Sequence, residues 1–228
     1  MAEATAAAAL ESRLRAHLRH FLGAWPPSRP LEVVGSPLRE RPGWDGAVRP
    51  AVGVATPAGA VVSVPPGSVG EVAAAARRLG LEGLVERLPA LLGVPERRAA
   101  LGVFRACREL VDLPDAGAWL APDDARVPAW LRPFNGEVLV AFDAAGRYAA
   151  GVGRKRHDAL GQELAVATEP AHRNRGLGRR LVAQAARRVY AEGAVALYLH
   201  RPDNAPSAAL ASAAGFPDLG WRAVVLAS

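Results

Sequence analysis

A strand, helix, strand passage in the C-terminal half constrains the fold of this chain more than any other feature. Residues 162–168 have the pattern of a strand, residues 177–192 that of a helix, and residues 194–200 that of a second strand. A short helix at 206–214 and a strand at 223–226 repeat the passage. Such passages predict a mixed sheet with helical crossovers, of the α+β or α/β class.

The N-terminal half is predicted to form a separate lobe. Four prolines between Pro114 and Pro133 interrupt regular structure, and we place the boundary there, giving an α+β lobe at 1–120 and a second domain at 121–228. The lobe is predicted to begin with a helix at 5–22 and a loop at 23–46. A hairpin with strands at 48–54 and 60–64 follows, and then helices at 68–79, at 84–92 and after Pro95.

Composition excludes several classes of protein. Half of the 228 residues are hydrophobic and 22% are charged, which is typical of a globular domain. No apolar run approaches the roughly 20 residues that cross a bilayer, the start lacks the basic region of a signal peptide, and the single cysteine, Cys107, cannot form an internal disulfide. We therefore expect a cytoplasmic protein without a membrane partner.

The net charge of +6 is weak support for a nucleic acid or another polyanion as partner. Lys155 is the only lysine, and isoleucine is absent. Both facts indicate a coding bias that raises the arginine count whatever the partner.

The turn between the strand at 162–168 and the next helix has the features of an anion site. It passes through Pro170 and enters the helix across Gly176 and Gly178. The first amide groups of a helix have no acceptor within it, and the helix dipole places positive charge there. Glycines would allow a diphosphate to approach closely. Four arginines add charge that can bind phosphate oxygens: Arg173, Arg175, Arg179 and Arg180.

Neither of the common nucleotide motifs fits this turn. A dinucleotide fold requires a third glycine and an acidic residue after the second strand, and here the helix ends at Glu192 without that glycine. A mononucleotide loop requires a Gly-Lys-Ser or Gly-Lys-Thr triplet, which the sequence lacks.

The segment resembles the signature of the GNAT superfamily of acyl-CoA-dependent N-acetyltransferases. Residues 173–178 match its pattern Arg/Gln-x-x-Gly-x-Gly/Ala, with Pro170 at the usual position upstream. A second element of the family follows in order, carried by Asn204, Ser207, Leu210, Gly215 and Phe216. The resemblance covers residues 136–228.

The resemblance implies a mostly antiparallel sheet, flanked by helices, whose central strands splay apart to hold acetyl-CoA. By position, the backbone of 166–168 would bind the pantetheine amides, and the loop at 173–179 would bind the pyrophosphate. The residues so assigned are Val166, Ala167, Thr168, Arg173, Asn174, Arg175, Gly176, Leu177, Gly178, Arg179, Asn204 and Ser207. Asn204 and Ser207 also fit a helix cap and first turn.

The chain departs from the family where many members carry a tyrosine that protonates the leaving thiolate. That position is Ala211. Another donor, such as Ser212 or Tyr198, serves instead, or the thiolate leaves unaided, or the domain binds CoA without catalysis.

Two residues are candidates for the base that deprotonates an amine acceptor. Glu163 is the first, because on a strand it shares a face with the small residues Ala165 and Ala167. Counted without gaps, however, Gln162 occupies the position where some family members carry glutamate. His200, at the end of the next strand, is the second candidate. His157 and His172 lack a partner at metal-ligand spacing, so no metal is expected.

The sequence therefore predicts a cytoplasmic N-acetyltransferase that transfers an acetyl group from acetyl-CoA to a primary amine by direct attack in a ternary complex. The N-terminal lobe is either a degenerate GNAT-like copy or part of the acceptor pocket. The alternatives are a non-catalytic acyl-CoA-binding or protein-interaction module, favoured by Ala211, and a basic nucleic-acid binder, favoured only by charge.

Overall fold

A computed structural model describes residues 2–227 of the chain. Its helices are α1 Ala2–Leu22, α2 Val69–Leu91, α3 Leu177–Ala191 and α4 Ala205–Ala213. Its strands are β1 Leu31–Gly35, β2 Val52–Thr56, β3 Gly59–Val64, β4 Arg98–Ala106, β5 Ala118–Leu120, β6 Val138–Phe142, β7 Tyr148–Arg156, β8 Gly161–Thr168, β9 Val195–His200 and β10 Arg222–Ala227. Between residues 2 and 227, no helix has both the length and the apolarity that crossing a membrane requires.

The chain divides into two compact units that are not consecutive in sequence. Unit 1 contains the chain up to Leu14, Arg105–Leu199 and Asn204–Pro217. Unit 2 contains Arg15–Phe104, His200–Asp203 and the chain from Asp218. The sequence predicted one division near residue 120. The units divide differently because β5 pairs with β6 in unit 1, whereas β10 pairs with β2 and β4 in unit 2.

Unit 2 is a sheet covered by the kinked helix α2. Its strand order is β1, β3, β2, β10, β4, and only the β1 and β3 pair is parallel. Gly80 interrupts α2 with a φ of 67°, which separates the two helices that the sequence predicted. Apolar side chains of α2 pack on the sheet to form a core: Val62, Val64, Val72, Ala75, Leu84, Val85, Leu88 and Val224.

Unit 1 contains the predicted crossover. Its strand order is β9, β8, β7, β6, β5, in which β8 and β9 are parallel and the other pairs are antiparallel. Helix α3 joins β8 to β9, and its buried face includes Leu181, Val182 and Val189. These side chains are removed from water against a sheet whose buried residues include Val140 and Leu164. The α+β class and the mostly antiparallel pairing are confirmed.

Two predictions for the N-terminal half were wrong. The expected helix after Pro95 is strand β4, because residues 98–103 pair with β10 from the far end of the chain. The expected loop at 23–46 contains β1, which pairs in parallel with β3. In both places pairing with distant residues outweighs the local pattern.

Candidate functional site

The parallel strands of unit 1 separate in the middle of the sheet. Their pairing runs from Gly161 and Val195 to Leu164 and Tyr198, and within the described chain it stops there although both strands continue. The backbone of β8 after Leu164 therefore forms one wall of a gap. The splayed central strands that the sequence led us to expect are present at this point.

The hydrogen-bond pattern shows which residues of β8 point into the gap. The amide of Glu169 donates to the carbonyl of Ala149 at 2.9 Å, so in this antiparallel pair alternate residues, including Ala167, direct their backbone groups toward β7. The backbone N–H and C=O groups of Val166 and Thr168 point the other way, into the gap. Of the three residues assigned to the pantetheine arm, Ala167 therefore offers no backbone group to it.

The N-terminus of α3 lies directly after this strand. Gly176 precedes the helix with a φ of 74°, a left-handed conformation that favours glycine. The first amide bonded within the helix is that of Arg180, which donates to the carbonyl of Gly176 at 3.3 Å. The amides of Leu177, Gly178 and Arg179 precede it, at the positive end of the helix dipole. Asn174 also has a positive φ, of 59°, so the loop is tightly wound.

Gly178 has a different role from the one expected. It is buried, and a Cβ atom there would lie 2.7 Å from Cδ1 of Leu210 and 3.3 Å from Oγ1 of Thr168. The absence of a side chain at this position therefore allows α3 to pack closely against α4 and β8. Of the two glycines, Gly176 is therefore the one that would leave room for the predicted anion.

The four loop arginines differ in their surroundings. Arg173 donates from Nε to the carbonyl of Thr168 at 3.0 Å, so its side chain lies across the end of β8. Arg180 donates to the carbonyls of Pro114 and Asp115 at 3.0 and 2.7 Å, which turns it away from the predicted phosphate position. Arg175 and Arg179 are exposed and are the cations available to a bound anion.

A cleft of about 550 Å³ lies beside the start of α3. The end of β6, the segment before β5, Leu177 and Arg180 line it. Gln184 secures that segment by bonds to the amides of Ala116 and Gly117. The cleft is thus a further open volume next to the predicted phosphate position.

The first turn of α4 carries two of the assigned residues. Oδ1 of Asn204 accepts the amide of Ser207 at 3.0 Å, so Asn204 caps the helix as its sequence position suggested, and its Nδ2 group remains a donor. Oγ of Ser207 lies 2.8 Å from the hydroxyl of Tyr198. Tyr198 itself is buried against Phe216. A hydroxyl pair therefore joins β9 to α4 beside the gap.

The position of the family tyrosine is closed in this chain. Ala211 is fully buried, one helical turn after Ser207 on the same face of α4. Ser212, the next residue, accepts a hydrogen bond from Nη1 of Arg105 at 2.9 Å. Because Ser212 is directed to Arg105, Tyr198 is the better placed of the two substitute donors.

Glu163 lies in a cluster of charged side chains on the face of β8 opposite α3. Its carboxylate forms an ion pair with Lys155 on β7, and its Oε2 lies 3.4 Å from Nε2 of His157. Burial raises the pKa of Glu163, but the hydrogen bond to His157 and the charge of Lys155 outweigh burial and lower the pKa to about 2. Glu163 is therefore ionised at neutral pH and is a weak base.

Gln162 lies on the other face of the strand. Its amide donates to Glu192 at 3.0 Å, and its oxygen accepts from Arg154 at 3.3 Å. The pairing of β7 with β8 is regular from 162 to 168, so no bulge exchanges the two faces. Gln162, which a count without gaps places at the position of the family's glutamate, is therefore part of a hydrogen-bond network next to α3.

His200, the second candidate base, is held by a neighbouring backbone carbonyl. It ends β9, two residues after Tyr198, and is buried in unit 2. Its Nδ1 lies 2.8 Å from the carbonyl of Arg201, an acceptor that places the ring proton on Nδ1.

Sequence reasoning missed the partners of Glu163. Lys155 and His157 precede the tight turn at Asp158, whose carboxylate accepts the amides of Leu160 and Gly161. A hairpin centred there places Lys155 opposite Glu163. The aspartate and the glycine three residues later are the signal that would have predicted this register.

The comparisons with known proteins agree with this geometry. Residues 104–216 match the family model described as the acetyltransferase (GNAT) family. The match begins before the expected residue 136 and ends before residue 228. Among curated proteins, none matches the chain.

Solved structures also resemble the chain. A protein described as a GNAT-family acetyltransferase from Novosphingobium aromaticivorans is 22% identical, with a TM-score of 0.48, over 57% of this chain and 64% of the other. A GNAT-family acetyltransferase from Colwellia psychrerythraea is 12% identical over 62% of this chain and 61% of the other, with a TM-score of 0.44. A GCN5-related N-acetyltransferase from Kribbella flavida is 18% identical over 62% and 63%, with a TM-score of 0.40.

The chain spans less than two thirds of the length of each of these structures. The assignment rests on the sequence match, which contains the separated strands, the Gly176 loop and the capped helix α4. By that match, residues 104–216 form a domain of the acetyltransferase (GNAT) family.

Proposed function

We propose that this chain is an N-acetyltransferase that moves an acetyl group from acetyl-CoA to a primary amine. The observation that carries the proposal is the combination of two features at one end of β8. The backbone groups of Val166 and the amide of Thr168 point into the gap, while the carbonyl of Thr168 accepts from Arg173. The adjacent helix presents its first amides beyond Gly176. The first feature suits the amides of a pantetheine arm, and the second suits a pyrophosphate.

The loop residues divide this binding between backbone and side chains. The backbone from Arg173 through Leu177 to Arg179 surrounds the phosphate oxygens, with Asn174 and Gly176 supplying the left-handed turns. Arg175 and Arg179 add charge at the surface. Asn204 donates from Nδ2 to the pantetheine arm while its oxygen caps α4.

Acetyl transfer proceeds by direct attack of the amine on the thioester. The one cysteine is unsuited to a covalent intermediate: Cys107 is buried, its thiol donates to the carbonyl of Glu109 at 3.2 Å, and burial raises its pKa to about 12. A thiol with that pKa is rarely a thiolate at neutral pH. Amine and acetyl-CoA are therefore bound together.

The acceptor has to lose a proton before it attacks. At neutral pH an alkyl amine with a pKa near 10.4 is almost wholly protonated, at a cost of about 4 to 5 kcal/mol for the reactive form. We take His200 over Glu163 as the base, because an imidazole accepts a proton near neutral pH more readily than a carboxylate with a pKa of about 2 does. Glu163 contributes mainly as a fixed negative charge that attracts the ammonium group, since its pKa of about 2 makes it a poor proton acceptor.

The alternative is CoA binding without turnover, and Ala211 is the observation that favours it. One experiment separates the two. The full chain is incubated with acetyl-CoA and a panel of amines, amino acids and peptides, and release of the free CoA thiol is followed together with acetyl-CoA binding by calorimetry. Binding with amine-dependent thiol release supports the enzyme, binding alone supports the sensor, and the lack of both contradicts the proposal.

A further inference from the structure

We infer that the hydroxyl pair of Tyr198 and Ser207 supplies the proton to the departing thiolate in this chain. The inference rests on the proposed function. It extends that function by naming the proton donor. Tyr198 comes from strand β9, and Ser207 lies in the first turn of α4, four residues before Ala211, where the GNAT resemblance placed a tyrosine.

The location of the pair is the first argument. Leu164 and Tyr198 are the last paired residues of β8 and β9, so Tyr198 lies at the floor of the gap. Its ring is 2% exposed and contacts Phe216 with 5.9 Å between ring centres. Packing on this side fixes the ring and leaves its hydroxyl at Oγ of Ser207, 2.8 Å away.

The second argument is that Ser207 lies between the buried hydroxyl of Tyr198 and the more exposed start of α4. Ser207 is half-buried, and its amide is held by Asn204, the residue proposed to contact the pantetheine arm. The cap therefore fixes the backbone of Ser207, and with it the position of the serine hydroxyl. Because Ser207 is half-buried and Tyr198 is 2% exposed, the serine hydroxyl is the more accessible of the two to a bound thioester.

The third argument is the small side chain at 211. A tyrosine there would leave α4 on the same face as Ser207, since residues four apart are neighbours on a helix. Ala211 is instead fully buried. This chain has alanine where the family tyrosine would lie, and Tyr198 of β9 brings a hydroxyl to the same face of α4. Burial also raises the pKa of Tyr198, outweighing the Ser207 hydrogen bond, so the phenol remains protonated at neutral pH.

The proposed step balances as follows. The amine nitrogen forms a bond to the carbonyl carbon, the carbon–sulfur bond breaks, and its electron pair stays on sulfur. Ser207 gives its hydroxyl proton to sulfur and takes the proton of Tyr198. The resulting phenolate is reprotonated from water, which balances the proton that the amine has released.

The test uses the full chain with acetyl-CoA and one accepted amine. Tyr198→Phe keeps the ring and its contact with Phe216, so it should fold, and we expect kcat to fall by about ten- to hundredfold with the KM for acetyl-CoA changed less than about threefold. Ser207→Ala should show a comparable loss, whereas Ser207→Thr should retain most of the turnover. The double variant should be no slower than the slower single variant, because both hydroxyls serve one transfer.

Two controls remove similar groups elsewhere. Tyr190→Phe removes a phenol whose ring stacks on Arg13, and Ser212→Ala removes a hydroxyl of the same helix that binds Arg105. Both should leave kcat within about twofold. Melting temperatures of all variants identify any general loss of the fold.

The outcomes distinguish a failure of the hydroxyl pair from a failure of the proposed function. A Tyr198→Phe variant with wild-type kcat, additive losses in the double variant, or losses confined to KM overturn the hydroxyl pair and leave the enzyme intact. A wild-type chain that binds acetyl-CoA without releasing thiol to any amine overturns the proposed function, and the donor pair with it.

Discussion

The two ends of α3 and β8 use the same two elements in opposite ways. At one end, Arg154, Gln162 and Glu192 form a network in which each polar group has a partner. At the other end, β8 leaves its neighbour and α3 begins at a glycine with no side-chain cap. The first, the paired end, holds strand and helix together, and at the second, the open end, we propose that backbone groups bind a ligand. One strand and one helix thus supply both the support and the proposed site.

The paired end shows what a buried charge requires. The side chain of Arg154 is 2% exposed, and both carboxylate oxygens of Glu192 accept from it, at 2.8 and 2.9 Å. The guanidinium also lies 4.7 Å from the ring centre of Trp119. Removing one partner of such a group leaves a charge without compensation in a medium of low polarity. Substitutions at this end should therefore lower the free energy of unfolding more than substitutions at the open end do.

Glu192→Ala tests this contrast and has the largest expected effect. Leaving Arg154 buried without its carboxylate should lower the free energy of unfolding by about 3 kcal/mol or more, measured by urea denaturation at neutral pH. Affinity for acetyl-CoA, measured on the folded variant, should change by less than about twofold. A loss below about 1 kcal/mol, or a large loss of affinity, would remove the distinction between the two ends.

The same network predicts the effect of acid. Burial raises the pKa of Glu192, but its bonds to Gln162, Arg154 and Arg188 lower it to about 2, below its ordinary value. A carboxyl group with a lowered pKa stabilises the fold above its ordinary pKa, and that stability is lost as pH falls toward 2. The wild type should therefore lose more stability between neutral pH and pH 3 than Glu192→Ala does.

Gly176→Glu tests the open end and should have the next largest effect. It places a side chain at a φ of 74° and a negative charge where we propose that the phosphates bind. We expect acetyl-CoA affinity to fall by roughly a hundredfold, from charge repulsion in addition to backbone strain of about 1 to 2 kcal/mol. Isothermal titration calorimetry measures the change.

Gly193→Glu is the matched control for that substitution. Gly193 follows the other end of α3, has a φ of 86°, and has open space around its Cβ position. The backbone strain is thus shared, while the charge lies far along the helix from the proposed phosphates. Equal losses of affinity in the two variants would show that the effect of Gly176→Glu is strain and not the exclusion of an anion.

The sequence predicted those parts of unit 1 whose signals are local. The helix predicted at 177–192 and the strand predicted at 194–200 are observed as Leu177–Ala191 and Val195–His200, because Gly176 and Gly193 mark the two ends of the helix. The sequence singles out Gly176 because glycines at a helix entry leave room for an anion, and the φ of 74° is a second reason for glycine that the structure adds. Local chemistry was sufficient for the frame of the site.

What the sequence missed depends on residues that are distant along the chain. Leu101 is in a strand because it pairs with Val224, and nothing near residue 101 encodes that contact. The low pKa of Glu163 depends on Lys155 across the hairpin, so the residue alone suggested a better base than the structure supports. The role of Gly178 depends on Leu210, which no local motif places beside it.

His200→Gln and Glu163→Gln compare the two candidate bases. We expect His200→Gln to lower kcat by about tenfold or more at neutral pH and Glu163→Gln to lower it by less than about tenfold, because a carboxylate of pKa about 2 accepts a proton poorly. Both deficits should shrink as pH approaches the pKa of the acceptor, where the amine is neutral without help. Profiles of kcat against pH for the three proteins measure this, and the reverse order of losses would assign the base to Glu163.

Arg175→Ala should have the smallest effect and sharpens the comparison further. Arg175 is exposed in the Gly176 loop, so its attraction for a phosphate is weakened by water and salt. We expect a two- to fivefold loss of acetyl-CoA affinity at low salt, about 0.5 to 1 kcal/mol, that largely disappears near 0.5 M salt. Arg87→Ala, which removes an equally exposed charge from α2 in unit 2, is the control and should leave affinity unchanged at either salt concentration. Equal effects of the two variants would mean that the net charge of the chain attracts the ligand, whereas an effect of Arg175 alone places a phosphate at the open end of α3.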